Sequence, residues 1–172
     1  NLTSGISDPS GDGWLRMSDN GLNRATYAYY DTALTATNRT IFASVDFASY
    51  NGTGADGVGF FLFDGSTTFS IGASGGSLGY AQKTGIDGMA GGYIGVGLDA
   101  FGNYSNPTEG RTGGTGFVPN SVAVRGPGSG QTGYNFLGGT GDLSANPYNL
   151  GQMDFPSSTT RPDQTGTDFR HM

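Results

Sequence analysis

Apolar and polar positions alternate with a period of two over much of this chain, the spacing that places successive side chains on opposite faces of a β-strand. In residues 40–47, Ile41, Ala43, Val45 and Phe47 fall on one face and Ser44 and Asp46 on the other, which predicts a half-buried strand. The turn-forming run Asn51-Gly-Thr-Gly54 follows. After it, Gly57–Phe63 is apolar on both faces, as expected of a central strand covered on both sides. The pattern predicts further strands over 77–82, 92–101 and 121–125, and earlier ones over 13–17 and 25–30, each bounded by Gly-rich or Asn-rich segments. No window repeats apolar residues at helical spacing without an intervening Gly or Pro, so helices are not expected. Short strands joined by long loops predict an all-β sandwich or barrel.

Within residues 92–101, Ile94, Val96 and Leu98 share one face, while the other reads Tyr93, Gly95, Gly97, Asp99 and Phe101. Glycines inside a strand mark a bulge or a place where another backbone or a ligand comes close, and a carboxylate at the end of such a strand is a site candidate. From Gly126 onward the apolar density falls, and 126–130, 138–141 and 157–166 read as loops.

Composition narrows the picture further. Gly (33) and Pro (7) make up close to a quarter of the 172 residues, a length that suits one domain, and the 21 aromatic residues supply a core of few, large side chains. With seven Arg, a single Lys (Lys83) and a net charge of −6, no basic stripe is present to neutralise phosphates, which argues against nucleic-acid partners and anionic membranes. No apolar stretch approaches the roughly 18–20 residues that span a bilayer, so membrane insertion is not expected. The absence of Cys removes disulfides, thiol catalysis and zinc–thiolate sites, and suits a secreted or surface-attached bacterial protein.

Little of the material for catalysis is present. Glu109 is the sole Glu, so a Glu-pair glycosidase mechanism has no partner for it. His171, the sole His, stands one residue from the last, where fraying is expected. Better supplied is a hard-cation site: Asp99-Ala-Phe-Gly-Asn103-Tyr-Ser-Asn106-Pro107 gathers a carboxylate and two amide oxygens just past a strand, donors that suit calcium. The same residues read equally as an Asx-rich turn closed by Pro107, as Asp56 does as a turn residue and Gly75-Gly76 as a hairpin.

Three segments, Ala55-Asp-Gly-Val-Gly-Phe-Phe-Leu62, Gly75-Gly-Ser-Leu-Gly79 and Val96-Gly-Leu-Asp-Ala-Phe-Gly-Asn103, in this order and spacing, resemble signature segments of the legume-type (L-type) lectins, especially their bacterial relatives. The similarity covers most of residues 13–125. It implies a concanavalin-like jelly-roll sandwich of two antiparallel sheets. It also implies a carbohydrate site in which Asp56, after a cis peptide bond, accepts from sugar hydroxyls, Gly76 with Gly75 donates backbone N–H, Phe101 stacks on the sugar and Asn103 contributes its amide. Calcium would be held by Asp99, the carbonyl of Phe101, Asn103 and Asn106.

The departures from that pattern carry their own expectations. Gly97 stands where legume members carry a Glu, and no His follows near 120–124, so no second, transition-metal ion is expected. Asn106 replaces an Asp, which lowers the charge at the calcium site, and Asp142 is a substitute carboxylate. Family domains continue for several strands beyond the point where this chain ends, which implies one module of a larger protein or sheets completed by another chain. The function expected is a non-catalytic, calcium-dependent glycan-binding module of a secreted or cell-surface protein. The alternative is a filament or adhesin building block in which calcium is only a brace.

Overall fold

The computed structural model describes residues 2–52, 54–154, 161 and 170–172. It is an all-β, antiparallel protein. In chain order the strands are β1 (Asp46–Phe47), β2 (Gly57–Phe63), β3 (Gly92–Asp99), β4 (Ser121–Arg125), β5 (Gly128–Ser129), β6 (Thr132–Gly133), β7 (Phe136–Gly139) and β8 (Arg170–His171), with one 3₁₀ turn at Gly75–Ser77. The main sheet runs β2-β3-β4-β7, and β1-β8 and β5-β6 form two short antiparallel pairs.

Strands β2 and β4 coincide with the predicted segments, and β3 stops two residues short, at Asp99, where the chain turns into a loop. Several expectations are corrected. Among the described residues β2 lies at the edge of its sheet, not the centre. Of residues 40–47 only Asp46–Phe47 form a strand, extended by a backbone exchange between Val45 and Met172, and Ile41 and Phe42 are exposed. Segment 13–17 contributes a single bridge, Leu15 to Leu2, and 25–30 lies outside any strand. Segment 77–82 is a buried turn: Leu78 and Gly79 take positive φ (49° and 74°), and the N–H groups of Tyr80 and Ala81 both return to the Ser77 carbonyl. The expected loops 126–130 and 138–141 instead hold β5 and the end of β7. Segment 157–166 lies outside the described residues apart from Arg161. His171, expected to fray, is paired across from Asp46.

The glycine face of β3 is the core. Methyl groups added at Gly95 and Gly97 would overlap the rings of Tyr80 and Tyr104, and one added at Gly128 would overlap Tyr134. Tyr80, Tyr104 and Tyr134 are all essentially inaccessible to solvent, together with Met89, Ala81 and Ala123. Two of the rings bring a hydroxyl inside and satisfy it on backbone: Tyr80 donates to the Gly126 carbonyl (2.9 Å) and Tyr134 to the Met89 carbonyl (2.8 Å). Beside them Arg125 is fully buried. Its guanidinium lies 5.5 Å over the Tyr104 ring and donates to the carbonyls of Tyr104, Thr112, Tyr134 and Gly113 at 2.9–3.1 Å. Burial pushes its pKa down to about 10, so it stays charged at neutral pH.

Gly97→Ala places a methyl group in the Tyr104 ring and should lower unfolding free energy by about 2 kcal/mol. Gly138→Ala, where an added methyl meets nothing within 4 Å, should stay within about 0.5 kcal/mol of wild type. Urea denaturation of the two variants checks this.

Candidate functional site

The register of the main sheet sets the site. Gly57, the first residue of β2, lies opposite Asp99, the last of β3, so the chain entering β2 and the chain leaving β3 run side by side. The Phe101 N–H donates to the Asp56 carbonyl at 3.0 Å. The Ala55–Asp56 peptide bond is cis, as the resemblance implies. The Gly75–Ser77 turn closes the third side. Gly76 lies so near Asn103 that any side chain there would overlap the Asn103 Cβ. A methyl on Gly75, itself at φ +68°, would lie 2.9 Å from Lys83 Nζ and 3.7 Å from Asp56 Oδ2. Asp56, Gly75, Gly76, Asp99, Phe101 and Asn103 are thereby gathered at one end of the sheet.

Asp99 is fully buried, and its two carboxylate oxygens accept N–H donors from its own loop, Gly102 at 2.7 Å and Tyr104 at 2.5 Å. Burial pushes its carboxyl up to about 6; the two N–H groups oppose this and the negative charge of Asp56 adds to it. No side-chain cation pairs with it among the described residues. Asn106 donates its N–H to the Asn103 carbonyl (3.0 Å), and its own carbonyl accepts from Arg111 Nε (3.0 Å). Asp142 forms an Asx turn of its own, with Oδ1 accepting from the N–H (2.9 Å) and hydroxyl (2.6 Å) of Ser144.

These donors fit a calcium ion. The buried Asp99 carboxylate has a raised pKa and no side-chain cation at ion-pair distance, Arg111 acting on it only from farther away, and the Phe101 carbonyl and the Asn103 amide oxygen accept no hydrogen bond from the described residues. No group of three or more His, Cys, Asp or Glu side chains is assembled among the described residues. A cation here would therefore rest on mixed carboxylate, amide and carbonyl oxygens.

Two features of this region are not apparent in the periodicity. The Arg111 side chain is fully buried and donates to Ser77 Oγ (3.1 Å), Glu109 (3.0 Å), Thr108 Oγ1 (3.2 Å) and the Asn106 carbonyl. It clamps the Gly75–Ser77 turn against residues 106–109. Glu109, held below the usual carboxylate range by Arg111, also lies 3.6 Å from Lys83. The second is the exposed Phe117 ring, which meets Phe101 edge to face with centroids 5.4 Å apart. Its one sequence signal is a Phe in an otherwise small and polar Gly-rich run ahead of β4.

Elsewhere, His171 Nδ1 lies 2.6 Å from Asp46 Oδ1, and Nε2 lies 3.4 Å from Ser44 Oγ. Asp46 and His171 sit on the β1-β8 pair with Ser44 two residues before it, and among the described residues the Asp46 and His171 side chains are open to solvent, at 39% and 65% exposure. No described helix is long and apolar enough to cross a membrane. No protein-family model, curated protein or solved structure matches this chain.

Because the Asp99 carboxyl titrates higher in the folded chain (about 6) than its ordinary 3.8, the cation-free folded state binds the extra proton between these values. This residue's contribution to stability is therefore present near pH 4 and lost as pH rises through 6, a swing of about 2–3 kcal/mol. Thermal unfolding of chelator-treated wild type and Asp99→Asn across pH 4–7 isolates it: the difference between the two should change over this window and be flat above it.

Proposed function

We propose that this chain is a non-catalytic, calcium-dependent carbohydrate-binding module of a secreted or cell-surface bacterial protein, with the main sheet as one layer of a concanavalin-like jelly roll. The observation that carries the proposal is the meeting of Asp56, Gly75–Gly76 and the 99–103 loop at one end of the sheet, three segments far apart in sequence.

The chemistry suits a sugar. Its hydroxyls need fixed acceptors and donors, which the Asp56 carboxylate, the Gly76 N–H and the Asn103 amide provide. Its C–H face needs an apolar plane, which Phe101 provides at 42% exposure. The absence of a side chain at Gly76 lets a ligand approach the backbone. Asp99, Asn103, Asn106 and the Phe101 carbonyl would hold calcium, which when bound supplies positive charge beside the buried carboxylate and fixes the loop carrying Phe101 and Asn103. Asp56 accepts hydrogen bonds from sugar hydroxyls that keep their protons, so no bond of the ligand is broken.

Asp56→Ala removes the acceptor and should reduce glycan binding at least ~100-fold, the scale of a lost charged hydrogen bond in a polar site, while leaving the melting temperature in calcium close to wild type. A glycan array probed in calcium and then in chelator tests this. Binding that survives the chelator overturns the calcium role, and release of reducing sugar from labelled oligosaccharide overturns the non-catalytic assignment. Calcium-dependent stabilisation with no glycan bound identifies the loop as a structural brace.

A competition between protons and calcium for Asp99 follows. Calcium affinity should be flat above pH 6 and fall about tenfold per pH unit below it, as calcium titrations at pH 5, 6 and 7 will show.

A further inference from the structure

We infer that Phe117 forms a second aromatic subsite beside Phe101 and that the ligand is an oligosaccharide of at least two residues, an inference that rests on the carbohydrate-binding reading above. The loop before β4 is bonded side by side to the loop after β3, continuing the β3–β4 pairing past its last strand residues. The Asn120 N–H donates to the Ala100 carbonyl (3.2 Å), Val118 N–H to Gly102 (3.0 Å) and Gly116 N–H to Ser105 (3.3 Å), and Ser105 Oγ donates back to the Gly116 carbonyl (3.0 Å). Gly114 and Gly116 take φ of +151° and +110°, and a side chain at Gly114 would overlap the Ser105 carbonyl. The backbone on both sides of Phe117 is thus tied to the candidate site loop, and the ring is held out from it.

Exposure separates this pair from the packing pairs of the fold. Tyr80 and Tyr134, also edge to face, are 1% and 0% exposed, whereas Phe101 and Phe117 are 42% and 54% exposed. Two phenyl rings on two loops bonded to each other, left exposed at the end of the sheet that carries Asp56 and Asn103, leave apolar area for a ligand to cover. The rings stand at 83° to one another. A flat C–H face of a pyranose chair can lie on only one of two perpendicular rings. With that face on Phe101, the Phe117 ring is left for the neighbouring residue of the chain. Apolar C–H faces, not charged substituents, are what these rings select, so the class is a neutral or locally neutral oligosaccharide.

The test is calorimetric titration, in calcium, of wild type, Phe117→Ala, Phe117→Leu and Asp56→Ala. The probes are the hexose methyl glycoside selected by the array and its di- and trisaccharides. In wild type the disaccharide should bind about tenfold more tightly than the monosaccharide, the scale of covering one phenyl ring. Phe117→Ala should erase that gain and leave monosaccharide affinity within about twofold. Phe117→Leu, which keeps apolar bulk without the ring, should recover only part of it. Equal losses on mono- and disaccharide, or no loss on either, overturn the subsite while the lectin reading stands. Saccharide binding undiminished in Asp56→Ala, or none by wild type, overturns both. Near-equal melting temperatures for wild type and the two Phe117 variants keep a folding defect from imitating the expected result.

Discussion

The structure depends on rings seated on bare backbone. Gly95 and Gly97 remove the side chains from one face of β3, and Tyr80 and Tyr104 close on that face from the loops that follow β2 and β3. A chain with few Leu, Ile, Val and Phe residues builds a dry interior this way, because one tyrosine ring covers more area than any single aliphatic side chain. The cost is polar: each ring introduces a hydroxyl, and Tyr80 and Tyr134 place theirs on loop carbonyls, which fixes the loops to the sheet.

Buried charge is handled similarly. Arg125 and Asp99 are both inaccessible, and neither forms an ion pair among the described residues. Arg125 is surrounded by carbonyls and Asp99 by N–H groups, so backbone dipoles do for each what a counterion would otherwise do. The two are unequal. Arg125 has four carbonyls and stays ionised at neutral pH, whereas Asp99 has two N–H donors and is pushed toward its protonated form. That imbalance leaves Asp99 the less compensated of the two buried charges.

What could be read from the sequence was short-range. Strands β2 and β4 have the predicted bounds because period-two patterning and turn residues act over a few neighbours. Asp56, Asp99 and Asn103 meet because the register of two adjacent strands carries them there, and Gly76 reaches them on the Gly75–Ser77 turn. The core was not legible in the same way. Tyr80, Tyr104 and Tyr134 lie in irregular segments where no period marks a buried face, and the β3 glycines that receive them read as a bulge or a place where another backbone or a ligand comes close, not as seats for aromatic rings. Segment 77–82 alternates like a strand, but Leu78 takes a left-handed conformation that closes a turn on Gly75, a tertiary outcome overriding local preference. The aromatic neighbour of Phe101 was invisible for a related reason: Phe117 is sixteen positions away, and only the lateral bonding of two loops brings the rings together.

Lys83 is the only lysine in the protein, and its ammonium lies beside Gly75, near Asp56 and Glu109, with 23% of the side chain exposed. Any reagent that attaches through side-chain amines therefore has one address, at the edge of the candidate site. Tethering the protein to a sensor surface through this amine would place that surface against the candidate site whose occupancy is to be measured. A single small dye placed on the same nitrogen would do the opposite and report on the arrival of ligand from within a few ångströms of it.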